Sequence, residues 1–521
     1  MRSVEIPNRI MTEAHTTNFT SDHVINDRYV DYQRERAKGG VGLIVAEMQS
    51  VHPNSISFGG CSFGLDKRII PQFKKLSQAV HQYGTKLFCQ IWHGGRQAEA
   101  EATDKALWCP SPIPCSVMRE TPKEMEIEDI KELISNFGIV AQNLLEGGVD
   151  GLTLHGGHGY LICQFLSPFS NKRTDEYGGE LRNRMRFVLE IIDEIRKVNG
   201  DDFPLGIRIS ADEFIKEGLT LDETSRIAKI FEETGKVDFI SVSCANYSTR
   251  YMSVPNSDWP PAFLEPLGAK IRESINLPVA LVGRINDPVL AERILADGHA
   301  DLIAMVRAHI ADPEMPKKAR EGRLNEIRPC VACIQGCVGR LGKKLPITCV
   351  HNPAAGREKD LGPEAIKSAT KPKKVFVVGG GPAGMKSAEI AAMRGHHVVL
   401  FEKEKELGGQ VRLASKMPRR EEWANIAEHL ISRINALQID VRLNQEVTAE
   451  NLLKESPEVV VIATGSSPIL PSIPGIENSN VFTVEEILRE EKWNSLGDSV
   501  LIYDRINGHY RATAPADYLI D

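Results

Sequence analysis

Eight short β-branched apolar runs, each followed by an amphipathic helical stretch, fill the first three hundred residues and predict a (β/α)8 TIM barrel. Four crowded cysteines come next, then a strand, glycine turn, helix and strand in the order of a Rossmann unit. The predicted class is thus α/β, a barrel followed by a cysteine-rich segment and an incomplete nucleotide-binding domain. A chain of 521 residues has room for about three domains.

The strand candidates are RIMTEAH (9–15), GLIVAEM (42–48), KLFCQIWH (86–93), GLTLHG (151–156), LGIRIS (205–210), FISVSC (239–244), PVALVG (278–283) and DLIAMVR (301–307). Between them, IIPQFKKLSQAVHQYG, EDIKELISNFGIVAQNLLEGG and RNRMRFVLEIIDEIRKV repeat apolar residues at three- and four-residue steps, the helical period. Thr220 and Glu223 form a capping-box pattern at the start of the helix after LGIRIS. An open doubly wound sheet is the competing architecture, but it seldom needs eight consecutive units. The expected segments are a barrel over 1–325, a cysteine segment and linker over 326–372, a Rossmann-like half-domain over 373–495 and the start of a further domain over 496–521. In that last piece a strand at 498–504 and a helix at 511–520 are expected, with the domain stopping short.

Composition narrows the function. The chain is 42% hydrophobic and 26% charged, with a net charge of −7. Its bases are interspersed with acids, so there is no electrostatic footprint for nucleic acid, and KPKK at 371–374 reads as a solvated linker. No apolar run approaches the roughly 20 residues of a membrane span. The opening MRSVEIPNRIM has no signal-peptide core, so a cytoplasmic protein is expected.

Chemistry in a barrel gathers at the C-terminal ends of its strands. Those ends carry His93, His155 and His158, with Arg208 inside the fifth strand, Gly283–Arg284 after the seventh and Arg307 after the eighth. Two arginines after strands seven and eight suit a phosphate; surface ion pairs are the plainer alternative. HGGHGYL (155–161) sets two imidazoles and the Tyr160 phenol among three glycines. Such a pair can donate to one oxygen while the phenol delivers a proton. A metal site or merely satisfied loop histidines are the alternatives.

Cys330-x2-Cys333-x3-Cys337-x11-Cys349 suits a cubane iron–sulfur cluster better than zinc, which usually pairs cysteines two and two. Cys61, Cys89, Cys109, Cys115, Cys163 and Cys244 are scattered and read as ordinary thiols. GGGPAG places Gly379, Gly381 and Gly384 in G-x-G-x-x-G spacing, and Glu402 ends the next strand eighteen residues later. That context fits a dinucleotide, with its pyrophosphate on the helix N-terminus and Glu402 on the ribose.

These motifs together resemble the iron–sulfur flavoprotein branch of the old yellow enzyme family, which includes 2,4-dienoyl-CoA reductase and trimethylamine dehydrogenase. The resemblance runs from IPNRI to the chain's end and rests most on HGGHGYLICQFLSPFSNKRTDEYGGELRNRMRF, the cysteine spacing, GGGPAG, EKEKELGGQ with Gly409, and ATG. It implies FMN in the barrel, a 4Fe–4S cluster, and FAD, expected to be held weakly or lost because the second nucleotide domain stops short, with NADH or NADPH as the open question. By the same resemblance Thr16, Gln90, Arg208, Gly283, Arg284 and Arg307 meet FMN. His155 and His158 would hold a substrate carbonyl oxygen, and Tyr160 would be the proton donor. Cys330, Cys333, Cys337 and Cys349 would ligate the cluster, and Gly379, Gly381, Gly384, Glu402 and Gly409 would line the FAD site.

Thr16 stands where trimethylamine dehydrogenase has its flavin-linking cysteine, so a non-covalent FMN is expected. That enzyme also has a tyrosine at the His155 position, and its catalytic aspartate has no clear counterpart here. VLIYDRINGHYRATAPAD lacks the glycine fingerprint of the reductase's second nucleotide domain. The implied activity is reduction of an activated C=C bond in a small molecule. The alternative is dehydrogenation of an amine or N-methyl compound, with electrons leaving to a carrier such as electron-transfer flavoprotein. A non-catalytic electron-transfer module is a third reading, and a homo-oligomer is the expected assembly.

Overall fold

A computed structural model describes residues 1–56, 60–489, 496–504 and 510–520. The chain divides into two compact units, Met1–Gly362 and Pro363–Asp521.

The first unit is a closed barrel. Its strands are β1 (Ile10–Thr12), β2 (Leu43–Ser50), β3 (Lys86–Trp92), β4 (Gly151–Gly156), β5 (Leu205–Ser210), β6 (Phe239–Ser243), β7 (Val279–Leu281) and β8 (Leu302–Ala304). All pair in parallel with their chain neighbours, and β1 pairs with both β2 and β8, which closes the sheet. A two-residue strand, Ser62–Phe63, also runs beside β2. The eight strands predicted from apolar runs are these eight. Outside them pack α1 (Asp27–Lys38), α2 (Ile69–His81), α3 (Ile127–Glu146), α4 (Leu161–Leu166), α5 (Leu181–Asn199) and α6 (Leu221–Glu233). Their buried faces repeat at helical spacing, as Phe137, Ala141 and Leu144 do in α3.

At the N-cap of α6 only half of the predicted capping box forms. Thr220 accepts the Glu223 amide, whereas the Glu223 carboxylate takes a charged hydrogen bond from Arg184. A guanidinium is a stronger donor than the N-cap amide, so the box opens in its favour.

Alternation along the strands stacks the barrel interior in layers. Met11, Leu43, Val45, Phe88, Phe239, Ala280, Leu302 and Ala304 form an apolar floor. The Phe88 and Phe239 rings fill its centre, 6.0 Å apart. They fit because β4 and β5 place glycines opposite: a Cβ on Gly151 would lie 2.7 Å from the Phe88 ring, and one on Gly206 would lie 2.1 Å from Phe239. Two residues further along the same strands stand Glu13, Gln90, Thr153, Arg208 and Ser241, all buried and all polar. Two further still come Trp92, His155, Ser210 and Ser243. The floor is plugged and the upper two layers are polar, so ligand chemistry is confined to the C-terminal end.

The second unit is a four-stranded parallel sheet made of β9 (Lys374–Val378), β10 (His397–Phe401), β11 (Asp440–Arg442) and β12 (Val459–Ile462), in the order β11-β10-β9-β12. One helix, Pro382–Met393, connects β9 to β10. The helix expected at 511–520 forms as Tyr510–Ile520. The strand expected at 498–504 does not: these residues have no ladder partner, and Leu501 is 94% exposed. A β-branched run becomes a strand only beside another strand, and none is paired with it here. No helix among the described residues is long and apolar enough to cross a membrane.

Candidate active site and cofactor sites

The upper barrel layers bring HGGHGYL together with residues far away in sequence. His155, at the end of β4, and His158, in the loop beyond, meet with His155 Nε2 3.3 Å from His158 Nδ1. The loop turns sharply enough to put His158 at φ 57°, a left-handed conformation that non-glycine residues rarely hold without a local reason. Ser210 fixes it by accepting the His158 amide at 2.8 Å, and Ser243 Oγ lies 2.6 Å from His158 Nε2. Gly157 N–H reaches His155 Nδ1 at 3.4 Å, which leaves the His155 proton on Nε2. Burial, then His158 and Arg208, hold the His155 imidazole well below its ordinary range. Burial, then Arg208 and Arg250, do the same to His158. Both rings are therefore neutral at pH 7.

The Tyr160 ring lies 4.8 Å from His155 and 4.7 Å from Trp92, centroid to centroid, and its hydroxyl is 3.1 Å from that of Tyr247. Burial, and next the neighbouring Tyr247, push its phenol well above the usual range. Tyr160 thus keeps its proton until something demands it. Trp92, Ser243 and Tyr247 escaped the sequence reading. The alternation of β3 and β6 above their phenylalanines would have exposed the first two; Tyr247 lies on a short turn with no motif. His93 stands apart, since Nε2 donates to Asn54 Oδ1 at 2.7 Å and Nδ1 accepts from Gly95 N–H at 3.0 Å. Both its nitrogens are occupied within the loop, which makes it structural.

The polar layer beneath fits a flavin ring edge. Both amide atoms of Gln90, Arg208 Nε, Thr153 Oγ1 and Glu13 Oε2 are buried without a hydrogen-bond partner. Leaving so many buried polar atoms unpaired costs about 1–3 kcal/mol each, a penalty that a ligand with alternating carbonyl and N–H groups removes. Arg208 is held by Glu13 at 3.7 Å, and Glu13 accepts from Ser241 Oγ at 2.5 Å. Among the described residues Thr16 Oγ1 reaches only Met48 Sδ, at 3.6 Å. Arg284 and Arg307 donate to the carbonyls of Trp259 and Pro255, so both guanidinium groups grip the same short segment after β6. Gly283 has φ 126°, which brings the backbone close to Leu264 where a side chain would clash.

The four cysteines converge as free thiols. Cys330 and Cys333 each lie within electrostatic range of Cys337 and Cys349, and Cys349 of Cys337, so that ionising one would oppose ionising the next. Gly336 makes the long gap to Cys349 possible: its amide-linked turn accepts Thr348 N–H at 2.7 Å, and a Cβ there would strike Thr348 O at 2.7 Å. Ala332 and Ile334 both hold φ 49°, strain expected of a loop shaped for a ligand. No three of these sulfurs lie within 4.8 Å of one another. A cubane cluster takes one thiolate at each of its four iron corners. The donor set fits 4Fe–4S. Burial pushes the Cys330 thiol up to about 12 and Cys333 to about 11, so loading the cluster must displace protons.

In the second unit, Gly384 allows the helix to press on the glycine turn, since a Cβ would sit 1.8 Å from Gly379 O. Gly379 itself has φ 107°. Gly381, the N-cap, has open space above it, as a pyrophosphate approach requires. Gly409, at φ 56°, packs back against Gly381. Glu402 accepts the Gly380 and Glu404 amides at 2.6 and 2.9 Å, and each carboxylate oxygen retains a lone pair for a ribose hydroxyl.

Comparison with known proteins agrees with this geometry. Residues 1–326 match the NADH:flavin oxidoreductase / NADH oxidase family, and residues 373–502 match the pyridine nucleotide-disulphide oxidoreductase family. The chain is 42% identical to an NADH oxidase of Thermoanaerobacter brockii over 92% of its own length and 74% of the relative's. It is 38% identical to an N,N-dimethylglycine/sarcosine dehydrogenase of Chromohalobacter salexigens, over its full length and 76% of that protein. A solved 2-naphthoyl-CoA reductase, in complex with 2-naphthoyl-CoA, superposes with a TM-score of 0.91 at 34% identity, covering 99% of this chain and 79% of that one.

Proposed function

Because this chain belongs to the NADH:flavin oxidoreductase / NADH oxidase family and is an FMN-dependent oxidoreductase with FAD and 4Fe–4S as further cofactors, we propose that it reduces an activated C=C bond. The observation that carries the reading is the neutral His155–His158 pair beside a Tyr160 that holds its proton. When bound, FMN would supply hydride chemistry, and FAD and the cluster would supply electron transfer. When a substrate enters, the neutral His155 and His158 rings turn their N–H groups from each other and from Ser243 to hold the carbonyl oxygen of an enone- or enoyl-type compound. That withdraws electron density from the double bond and steadies the charge that develops on the oxygen. Tyr160 gives its proton to the α carbon, and Tyr247 orients the phenol for the transfer. Gln90, Arg208 and Thr16 bind the flavin ring, and Gly283, Arg284 and Arg307 bind its phosphate. Cys330, Cys333, Cys337 and Cys349 ligate the cluster. Gly379, Gly381, Gly384, Glu402 and Gly409 hold the FAD.

Tyr160→Phe tests this. Substrate reduction should slow by about 10²–10⁴-fold, the usual contribution of a positioned acid, while flavin reduction is almost unchanged. Equal loss in both half-reactions would mean that the variant only damages the barrel.

The likeness to the N,N-dimethylglycine/sarcosine dehydrogenase favours a second reading, oxidation of an N-methyl amine with electrons leaving to an external carrier. Ten free cysteines agree with a reducing, cytoplasmic setting.

A further inference from the structure

Beside the barrel mouth lies a cavity of about 290 Å³ that none of the proposed roles uses. Arg96, Arg119, Ser116, Thr121, Ser248 and Phe169 line it, and no Asp or Glu is among its described lining residues. Arg96 is 2% exposed and stacks over Phe169, with its guanidinium carbon 5.2 Å from the ring centroid. Its Nη1 makes one long bond to Ile113 O, at 3.4 Å, and its Nε is buried with no partner. Neither Arg96 nor Arg119 has an acidic partner among the described residues. A buried cation without a counter-ion is unfavourable unless an anion visits it, and here two guanidinium groups share a cavity with hydroxyls and no carboxylate.

The cavity is coupled to the reacting site. Arg96 follows β3, and its amide donates to Gln164 on α4, the helix that begins immediately after Tyr160. On the other wall, Ser116 Oγ lies 2.9 Å from Ser248 Oγ, and Ser248 is next to Tyr247, whose hydroxyl meets Tyr160. The cavity therefore shares its walls with the elements that hold Tyr160 and Tyr247. We infer that this cavity is an oxyanion subsite, where Arg96 and Arg119 bind a carboxylate or phosphate carried by the substrate away from its reacting bond.

The inference rests on the proposed reduction only for the identity of the reacting bond. Three compounds share one cinnamyl double bond and differ in charge: neutral cinnamaldehyde, 4-carboxycinnamaldehyde, whose carboxylate lies across the ring from the double bond, and cinnamoyl-CoA with its phosphates. Arg119 is exposed, so Arg119→Gln should fold normally. Losing a charged hydrogen bond should raise KM roughly tenfold for an anionic compound, with kcat held and cinnamaldehyde unaffected, and Arg119→Lys should restore part of it. A rise confined to 4-carboxycinnamaldehyde assigns a carboxylate, and one confined to cinnamoyl-CoA assigns a phosphate. Unchanged KM for both anions, or an equal rise for all three compounds, would overturn the subsite. Calorimetric titration of the oxidised holoenzyme with 4-carboxycinnamaldehyde and with coenzyme A needs no turnover. If the wild type reduces none of the three compounds, the reductase reading fails while binding that Arg119→Gln weakens still supports the subsite. Absence of binding to either ligand would refute it.

Discussion

A Cβ on Gly206 would stand 2.1 Å from the Phe239 ring, and one on Gly151 would stand 2.7 Å from Phe88. These single atoms decide how deep the barrel is plugged, and so where a flavin can sit. Gly206→Ala should destabilise the protein by about 1–3 kcal/mol, as overpacking does, and equilibrium unfolding in urea would read it. A neutral result would mean that the Phe239 ring has room to turn. Thr16 offers no thiol, so acid precipitation should release all barrel FMN into the supernatant; colour left in the pellet would contradict this. At this scale the HGGHGYL residues were legible because they adjoin one another in the chain. Trp92, Ser243 and Tyr247 were not, because strands and turns up to about 150 residues apart carry them to the same place. Composition and local spacing hold no record of that meeting; only the alternation of each strand does.

Eight strands could be read because each is a short apolar run buried on both faces, the pattern of a parallel sheet enclosed by helices. The helices could be read because one face of each is apolar. What failed was pairing. DSVLIYD has the composition of a strand and none of the partners, and Glu223 finds a better donor in Arg184 than in its own helix. The cysteine segment is the element most exposed to test. Cys349 closes the site only because Gly336 lets Thr348 approach, so Cys349→Ser should leave well under four irons per chain and a much weaker charge-transfer band. Zinc at one equivalent in the wild type, measured by mass spectrometry of the metals, would instead overturn the cluster. Gly336→Ala should lose iron as well, although it removes no ligand.

Across the whole molecule, the buried His93, His155 and His309 and the half-buried His15 and His158 are held neutral, with desolvation the largest cause in each case. For His15 and His309 the folded value falls from 6.5 to about 4. The folded value lies below the unfolded one, so the native state refuses protons that the unfolded chain accepts. Stability is therefore fully present above pH 6.5 and declines as pH falls towards 4, by on the order of 3 kcal/mol for each of these two. Glu47 runs the other way. Burial raises it from 4.5 to about 8, so its contribution is full below 4.5 and is lost as pH rises through 8. The urea midpoint should fall between pH 6.5 and 5, above the range where ordinary carboxylates titrate; a flat profile would mean that the histidines are hydrated. The claim that joins all three scales is that this site gives electrons to an activated alkene. Its most direct test is anaerobic rapid mixing of the dithionite-reduced holoenzyme, freed of excess reductant, with an enone while flavin absorbance is followed. The account predicts that the oxidised flavin band returns in step with loss of the double bond. A flavin that stays reduced with every enone or enoyl compound, while N-methyl amines bleach the oxidised enzyme, would contradict it.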